Sequence, residues 1–263
     1  MKNIELMNKT DVFFRSFLIQ AFWNFERIQN LGFAYCIYPF LVMLYPDREQ
    51  RKKALLRHLD FFCTHPYLVN VVLGLIVSME ERLARHEEGL TERHISQVKM
   101  HITGPLAALG DSFFWHTWRS FCAIVAASLY FFAANRTDSA PAFLALFLFL
   151  TIYNMLHIPV RWFGFTFAYR QGMQIIATIE RFRVFNWEKL IFAPASTIML
   201  VLMLVSYLIV IEGSVGYKIV LGSLFFLLYV IRYYVRSHIT MFFITVLISV
   251  LVSFIASFFK VLI

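Results

Sequence analysis

Four short stretches hold most of the side chains able to do chemistry. Gln20 to Asn30 (QAFWNFERIQN) is dense in polar groups beside apolar sequence. Read as a helix, its i, i+4, i+7 spacing puts Trp23, Arg27 and Asn30 on one face, with Glu26 and Gln29 on a neighbouring one. Together with Asn24 they make either a hydrogen-bonding surface for a polyhydroxylated ligand or partner subunit, or a helix whose polar groups pair locally. His58 to Pro66 (HLDFFCTHP) sets His58 and His65 seven residues apart, a possible single helical face around Asp60. A metal site needs a third ligand and a supporting shell, and nothing nearby supplies them. A helix end, with Thr64 and His65 bonding exposed backbone, is the plainer reading.

His86, His94 and His101 recur among Glu80, Glu81, Glu87, Glu88 and Glu92. Gly89 interrupts that pattern, which reads as a solvated face rather than a carboxylate–histidine centre. Gly104 to Ser112 (GPLAALGDS) is the sharpest feature, a break just before an apolar run. Asp111 and Ser112 then stand at the start of a spanning helix. They are N-caps, or a carboxylate and hydroxyl at its mouth able to bind sugar hydroxyls. No GxxxxGK[ST], GxSxG or HExxH pattern is present, so no phosphate cradle, nucleophile–base pair, catalytic residue, cofactor or metal is expected.

The elements that must position these groups are set by composition. The 263 residues are 60% hydrophobic and 15% charged, with 30 Phe. Soluble domains average about half apolar and a quarter charged. Disorder and an ordinary soluble enzyme are disfavoured. The net charge of +8 reads as cations retained at the cytoplasmic face of a bilayer rather than as a nucleic-acid patch. Cys36, Cys63 and Cys122 form no CxxC pair and read as reduced apolar thiols. The polar start, Met1 to Thr10, has no signal-peptide core, so no cleaved leader is expected.

Charge-free runs mark Ser139–Val160, Leu190–Ile211 and Ser237–Phe259, of 22, 22 and 23 residues. Each can span a roughly 30 Å hydrocarbon core. Ser112–Asn135 and Gly213–Ile231 contain one cation each, Arg119 and Lys218. The fold expected is an all-α integral membrane protein. About five transmembrane helices follow amphipathic and re-entrant helical hairpin segments. Ile28–Pro46 and Phe61–Met79 are charge-free but broken by Pro39, by His65-Pro66 and by Gly32 or Gly74. They read as re-entrant hairpins, or as helices lying on or within the protein's interior.

Residues 1–99 carry 13 of the 24 basic and 11 of the 16 acidic side chains. They form an amphipathic arm and first re-entrant segments on the cytoplasmic side, including Asp47–Arg57 and Glu80–Lys99 as amphipathic or solvated helices. Residues 100–263 form a transmembrane transport core and C-terminal helices. The link after the second clear span holds Arg161, Arg170, Arg181, Arg183 and Lys189, and that before the last span holds Arg232 and Arg236. These links belong inside. The N-terminus is then cytoplasmic and the C-terminus outside.

Four stretches in this order, Arg15–Leu41, Arg57–Tyr67, Gly104–Trp115 and Ile152–Gly172, resemble the IID component of the mannose/fructose/sorbose-type bacterial phosphotransferase system. The resemblance covers roughly residues 10 to 175. It implies a multi-pass subunit of the bacterial cytoplasmic (inner) membrane that works with a IIC membrane subunit. The two would enclose a hexose-type sugar, which a cytosolic IIB protein, charged by IIA, phosphorylates. The chain would be part of that complex without itself carrying the phosphoryl group, and would assemble as an oligomer of IIC–IID pairs. The expected substrate-binding residues are Asn24, Glu26, Gln29, Thr64, His65, Asp111 and Ser112, all facing one shared cavity. The chain departs from the family pattern at Cys63, where Asn is common, and at Ala108, His116, Ser120 and Ala168. Those departures motivate an alternative, a degenerate IID-like scaffold or regulatory membrane partner that does not transport.

Overall fold

The computed structural model describes residues 9–133 and 140–184, together with Ser223. The chain divides into two compact units, Met1–Met199 and Leu200–Ile263. Of the second, only Ser223 is described, and it is helical. The expected spans at 190–211, 213–231 and 237–259 lie outside the described residues.

The first unit is helical. Its elements are α1 (Lys9–Ser16), α2 (Asn30–Leu44), α3 (Arg48–Arg57), α4 (Val69–Ala84) and α5 (Glu92–Gly110). A π-helical stretch, Asp111–Trp118, then leads into α6 (Arg119–Ala133). Helix α7 (Ala140–Gln171) passes through one 3₁₀ turn, Gly172–Gln174, into α8 (Ile175–Val184). Among the described residues one helix, Ala140–Arg181, is long and apolar enough to cross a membrane. It contains residues 140–160 of the expected span and continues beyond them. The other expected span, 112–135, is helical as far as Ala133, in two geometries.

Local signals explain several helix ends. Asp47 accepts the Gln50 N–H at 2.9 Å and caps α3, whose residues stay mostly exposed. Thr91 accepts the His94 N–H at 3.2 Å and caps α5. His86 and Gly89, at φ 57° and 82°, reverse the chain between α4 and α5.

Two expected breaks do not occur. Ile28–Pro46 contributes one interior helix, α2, which runs straight through Pro39. A helix-interior proline frees the carbonyl four residues before it, here that of Tyr35. The Arg15 guanidinium donates to that carbonyl at 3.2 Å and lies over the Tyr35 ring. The lost bond is thus replaced from another helix. Helix α5 likewise runs through Gly104-Pro105, and beyond Gly110 it changes pitch instead of ending. Asp111 and Ser112 are therefore mid-helix residues, not N-caps. Ser112 Oγ turns back onto the Leu109 carbonyl at 3.1 Å, and Thr117 Oγ1 onto that of Ser112 at 2.9 Å.

The core lies between α2, α4, α5 and α7, with Phe33, Phe40, Leu73, Ile76 and Phe165 fully buried. Helices α4 and α7 pack backbone to backbone at Gly74, where a Cβ would overlap the Phe165 carbonyl. Small residues permit such close helix crossings. Helix α5 runs through the expected boundary at residues 99 and 100.

Candidate functional site

The segment expected as a polar helix, Gln20–Asn30, is a run of turns closed by an isolated bridge between Asn24 and Ile28. Asn24 Oδ1 accepts the Arg27 N–H at 2.8 Å, a local bond that competes with helix. Asn24 and Ile28 exchange both backbone bonds at 3.0 Å. Ile28 sits at φ 59°, a strained conformation for a β-branched residue. Trp23, Arg27 and Asn30 consequently share no helical face.

This turn is laced to the segment after α3. Gln29 N–H donates to Phe62 O at 2.9 Å and Phe62 N–H to Arg27 O at 3.3 Å. Asn30 Nδ2 reaches the Leu59 carbonyl at 2.7 Å, and Arg27 Nη1 the same oxygen at 3.1 Å. Gln29 Oε1 accepts the Thr64 N–H at 3.0 Å. The segment then meets the α5 junction. The His65 ring abuts Gly110, where any Cβ would collide with it, and stacks on Phe114 with Trp115 at its edge. The Asp111 charge is close enough to act on Cys63. Irregular backbone from two segments thus converges on a helix that changes pitch, an arrangement common where membrane proteins build sites.

The expected site residues fall into three groups. Gln29, Thr64 and His65 are buried together, with Thr64 Oγ1 and His65 Nε2 lacking partners among the described residues. Asp111 and Ser112 lie exposed beside that group. Asn24 is half-buried and bonds Asn30 Oδ1 at 2.8 Å, whereas Glu26 is 80% exposed and pairs with Arg27 at 3.2 Å. His58 and His65 share no helical face, because α3 ends at Arg57 and both lie in the irregular segment beyond it. No cluster of three metal-ligating side chains occurs among the described residues. Two concavities, an apolar one of about 460 Å³ beside α7 and a polar one of about 500 Å³ beside Arg82, include none of the seven residues.

The sequence reading missed a buried charge centre. Glu80 was expected on a solvated face, and its side chain is fully buried. Arg57 grips both its oxygens at 2.7 Å, Tyr45 OH donates at 2.8 Å, and His58 Nε2 lies at 3.0 Å. Burial alone raises a carboxyl pKa; here the Arg57 and His58 bonds outweigh it and hold Glu80 at about 2. Burial pushes His58 down, against the pull of Glu80. Lys99, also expected to be solvated, is 1% exposed and is pushed down to about 8 by burial, against Asp60 and Glu80.

Arg161 was missed too. Expected in a cytoplasmic link, it lies in the middle of α7 and is 3% exposed. A lone cation inside the apolar run 139–169 was the available signal. The three cysteines are free, with Cys36 and Cys122 buried and Cys63 half-buried.

The family described as the PTS system mannose/fructose/sorbose family IID component matches residues 4–262. The mannose-specific EIID component of Escherichia coli K12 is 36% identical over 166 residues, 63% of this chain and 56% of that protein. The fructose permease IID component of Bacillus subtilis 168 is 33% identical over 66% of this chain and 60% of its own length. The sorbose-specific component of Klebsiella pneumoniae is 35% identical over 67% and 61%. The matched region thus spans little more than half of these relatives. A chain in the cryo-electron-microscopy structure of the mannose transporter ManYZ with microcin E492 superposes at TM-score 0.57 and 29% identity, over 80% of this chain and 72% of that one.

Proposed function

The chain belongs to the mannose/fructose/sorbose family of phosphotransferase-system IID components, and we propose that it is the membrane subunit which, with a IIC subunit, forms the path a hexose takes across the bilayer. A cytosolic IIB protein, charged by IIA, phosphorylates the sugar on that path. The chain supplies hydroxyl-binding groups and no phosphoryl carrier. About five helices cross the membrane, the one through Ala140–Arg181 among them, with the N-terminus in the cytoplasm and the C-terminus outside. Residues 1–99 form the cytoplasmic-side arm and first re-entrant segments, and 100–263 the transport core. The assembly is an oligomer of IIC–IID pairs.

The observation that carries this reading is the lacing of 24–30 to 59–64 against the α5 junction. It gathers Gln29, Thr64 and His65 beside Asp111 and leaves polar atoms of Thr64 and His65 without partners among the described residues. Buried polar groups without partners are rare and call for a ligand or water. Asn24, Glu26 and Ser112 complete the set at its rim, where a IIC subunit closes it.

The departures from the family pattern favour a second, non-transporting reading. Ala108 and His116 lie on exposed helix surface. Cys63 lies where the Asp111 charge acts on it, Ser120 is half-buried and Ala168 is buried in the core. Uptake of radiolabelled mannose, fructose and sorbose by cells expressing the chain with its IIC, IIA and IIB partners decides between the two. Uptake of none of them by an assembled complex sinks the transport reading.

A further inference from the structure

We propose that Arg161 is a positioning residue for the candidate sugar site, acting through Tyr67 on the ring of His65; the proposal rests on the transport reading above. Arg161 stands in the middle of the one membrane-length helix described and is buried. Among the described residues no carboxylate pairs with it. A cation at membrane depth is costly unless other groups stabilise it. Its surroundings supply two kinds of stabilisation.

The first is the C-terminal end of α1. Arg161 Nη1 donates to the Ser16 carbonyl and, at 2.9 Å, to Ser16 Oγ. Helix C-termini carry free carbonyls and partial negative charge, which suit a cation. Asn70 on α4 completes the clasp, with Nδ2 at 2.6 Å from the Arg161 carbonyl and 3.3 Å from Ser16 Oγ. The second is a pair of aromatic faces. The guanidinium carbon lies 4.5 Å from the Phe17 ring centre and 5.4 Å from that of Tyr67.

Tyr67 links this clasp to the site. Its backbone N–H donates to His65 Nδ1 at 3.3 Å. A ring nitrogen that accepts carries no proton, so in the neutral ring the proton sits on Nε2. The ring itself is wedged between Phe114, Trp115 and Tyr67. His65 therefore offers one fixed donor, and its Nε2 is buried with no partner among the described residues. Arg161, together with the Tyr153 hydroxyl at 2.8 Å and the His157 ring, holds Tyr67; Tyr67 sets the tautomer and tilt of His65, and His65 donates to a sugar oxygen.

The test is the KM and Vmax of radiolabelled hexose uptake for wild type, Arg161→Gln, Arg161→Lys and Phe17→Leu, each with its IIC partner. The amount of assembled complex is measured by co-purification. For Arg161→Gln the proposal expects KM raised on the order of tenfold, the scale of one lost hydrogen bond. Arg161→Lys, which keeps the charge but not the planar fork, restores part of the affinity. A purely structural role lowers the amount of complex and leaves KM unchanged, and that result overturns the proposal. Should Arg161→Gln yield no complex, Phe17→Leu decides. It keeps the Ser16 bonds and removes one ring face, so a raised KM supports the proposal and an unchanged KM overturns it. Failure of wild type to take up any hexose overturns the transport reading itself.

Discussion

Arg57 holds both carboxylate oxygens of Glu80 at 2.7 Å in a side-chain environment closed to solvent at the glutamate. The pair joins α3 to α4, with Tyr45 from the end of α2 donating to the same acid. Removing one partner of such a buried pair leaves a charge without compensation, at a cost of roughly 3–5 kcal/mol. Glu80→Ala and Arg57→Ala should each lower the thermal midpoint of the detergent-solubilised protein substantially. Glu80→Met combined with Arg57→Met should be milder than either alanine variant, because no orphan charge remains. Equal losses from all three would show that the charges themselves are not the issue.

The same centre sets a pH dependence. Glu80 titrates at about 2 when folded, below its ordinary 4.5. Its contribution is therefore fully present above about 4.5 and disappears as pH falls through 2. Wild type should lose stability on acidification below 4.5 more steeply than Glu80→Gln. Lys99 titrates at about 8 when folded against 10.5 ordinarily. Between those values the unfolded chain binds more protons, so stability rises with pH across that window. Lys99→Met should be more stable than wild type at pH 7, and the gap should shrink towards pH 10.5. Denaturation midpoints over pH 3–11 report both.

At Gly74, α4 packs against the backbone of α7 too closely to admit a Cβ. A methyl group there meets the Phe165 backbone carbonyl, which cannot swing aside as a side chain can. Gly74→Ala should cost about 1–3 kcal/mol through forced helix separation. Gly104→Ala, where a Cβ meets nothing within 4 Å, serves as the control. It should be neutral or slightly stabilising, since Ala is the better helix former. Comparable losses at both sites would contradict the packing described.

Ile28 adopts φ 59° in the turn that carries Gln29. Asn tolerates this conformation far better than a β-branched residue. Ile28→Asn should leave the turn intact and keep the fold, whereas Ile28→Val keeps the strain and removes a methylene. Greater stability of the Val variant would show that side-chain packing, not backbone conformation, decides this position.

The solvated helix within Asp47–Arg57 was legible because its signal lies inside the segment itself. So were the buried, apolar character of the segments around Phe33 and Leu73 and the apolar run through Phe149. What was not legible depended on distant partners. Pro39 reads as a break unless one knows that Arg15, 20 residues before Tyr35, reaches the Tyr35 carbonyl. Glu80 reads as solvated beside Glu81, Glu87 and Glu88, because Arg57 and His58 approach it from 23 and 22 residues away. Around Asn24 the residue types were noticed and their geometry was misread. The Asn side chain captured the backbone locally, and the helical face expected there does not exist. Of the candidate site, Gln29, Thr64, His65 and Asp111 were picked out by residue type and motif. Arg161 was counted as a surface charge because its run was taken to end at Val160.

The most direct test of the central claim is radiolabelled hexose uptake by cells co-expressing the chain with its IIC, IIA and IIB partners, compared between wild type, Asp111→Ala and Thr64→Val. Membrane levels of the complex are matched in every case. The account predicts uptake by wild type and a drop on the order of tenfold or more in each variant, since each removes a polar group proposed to pair with the sugar. Undiminished uptake in both variants would contradict it.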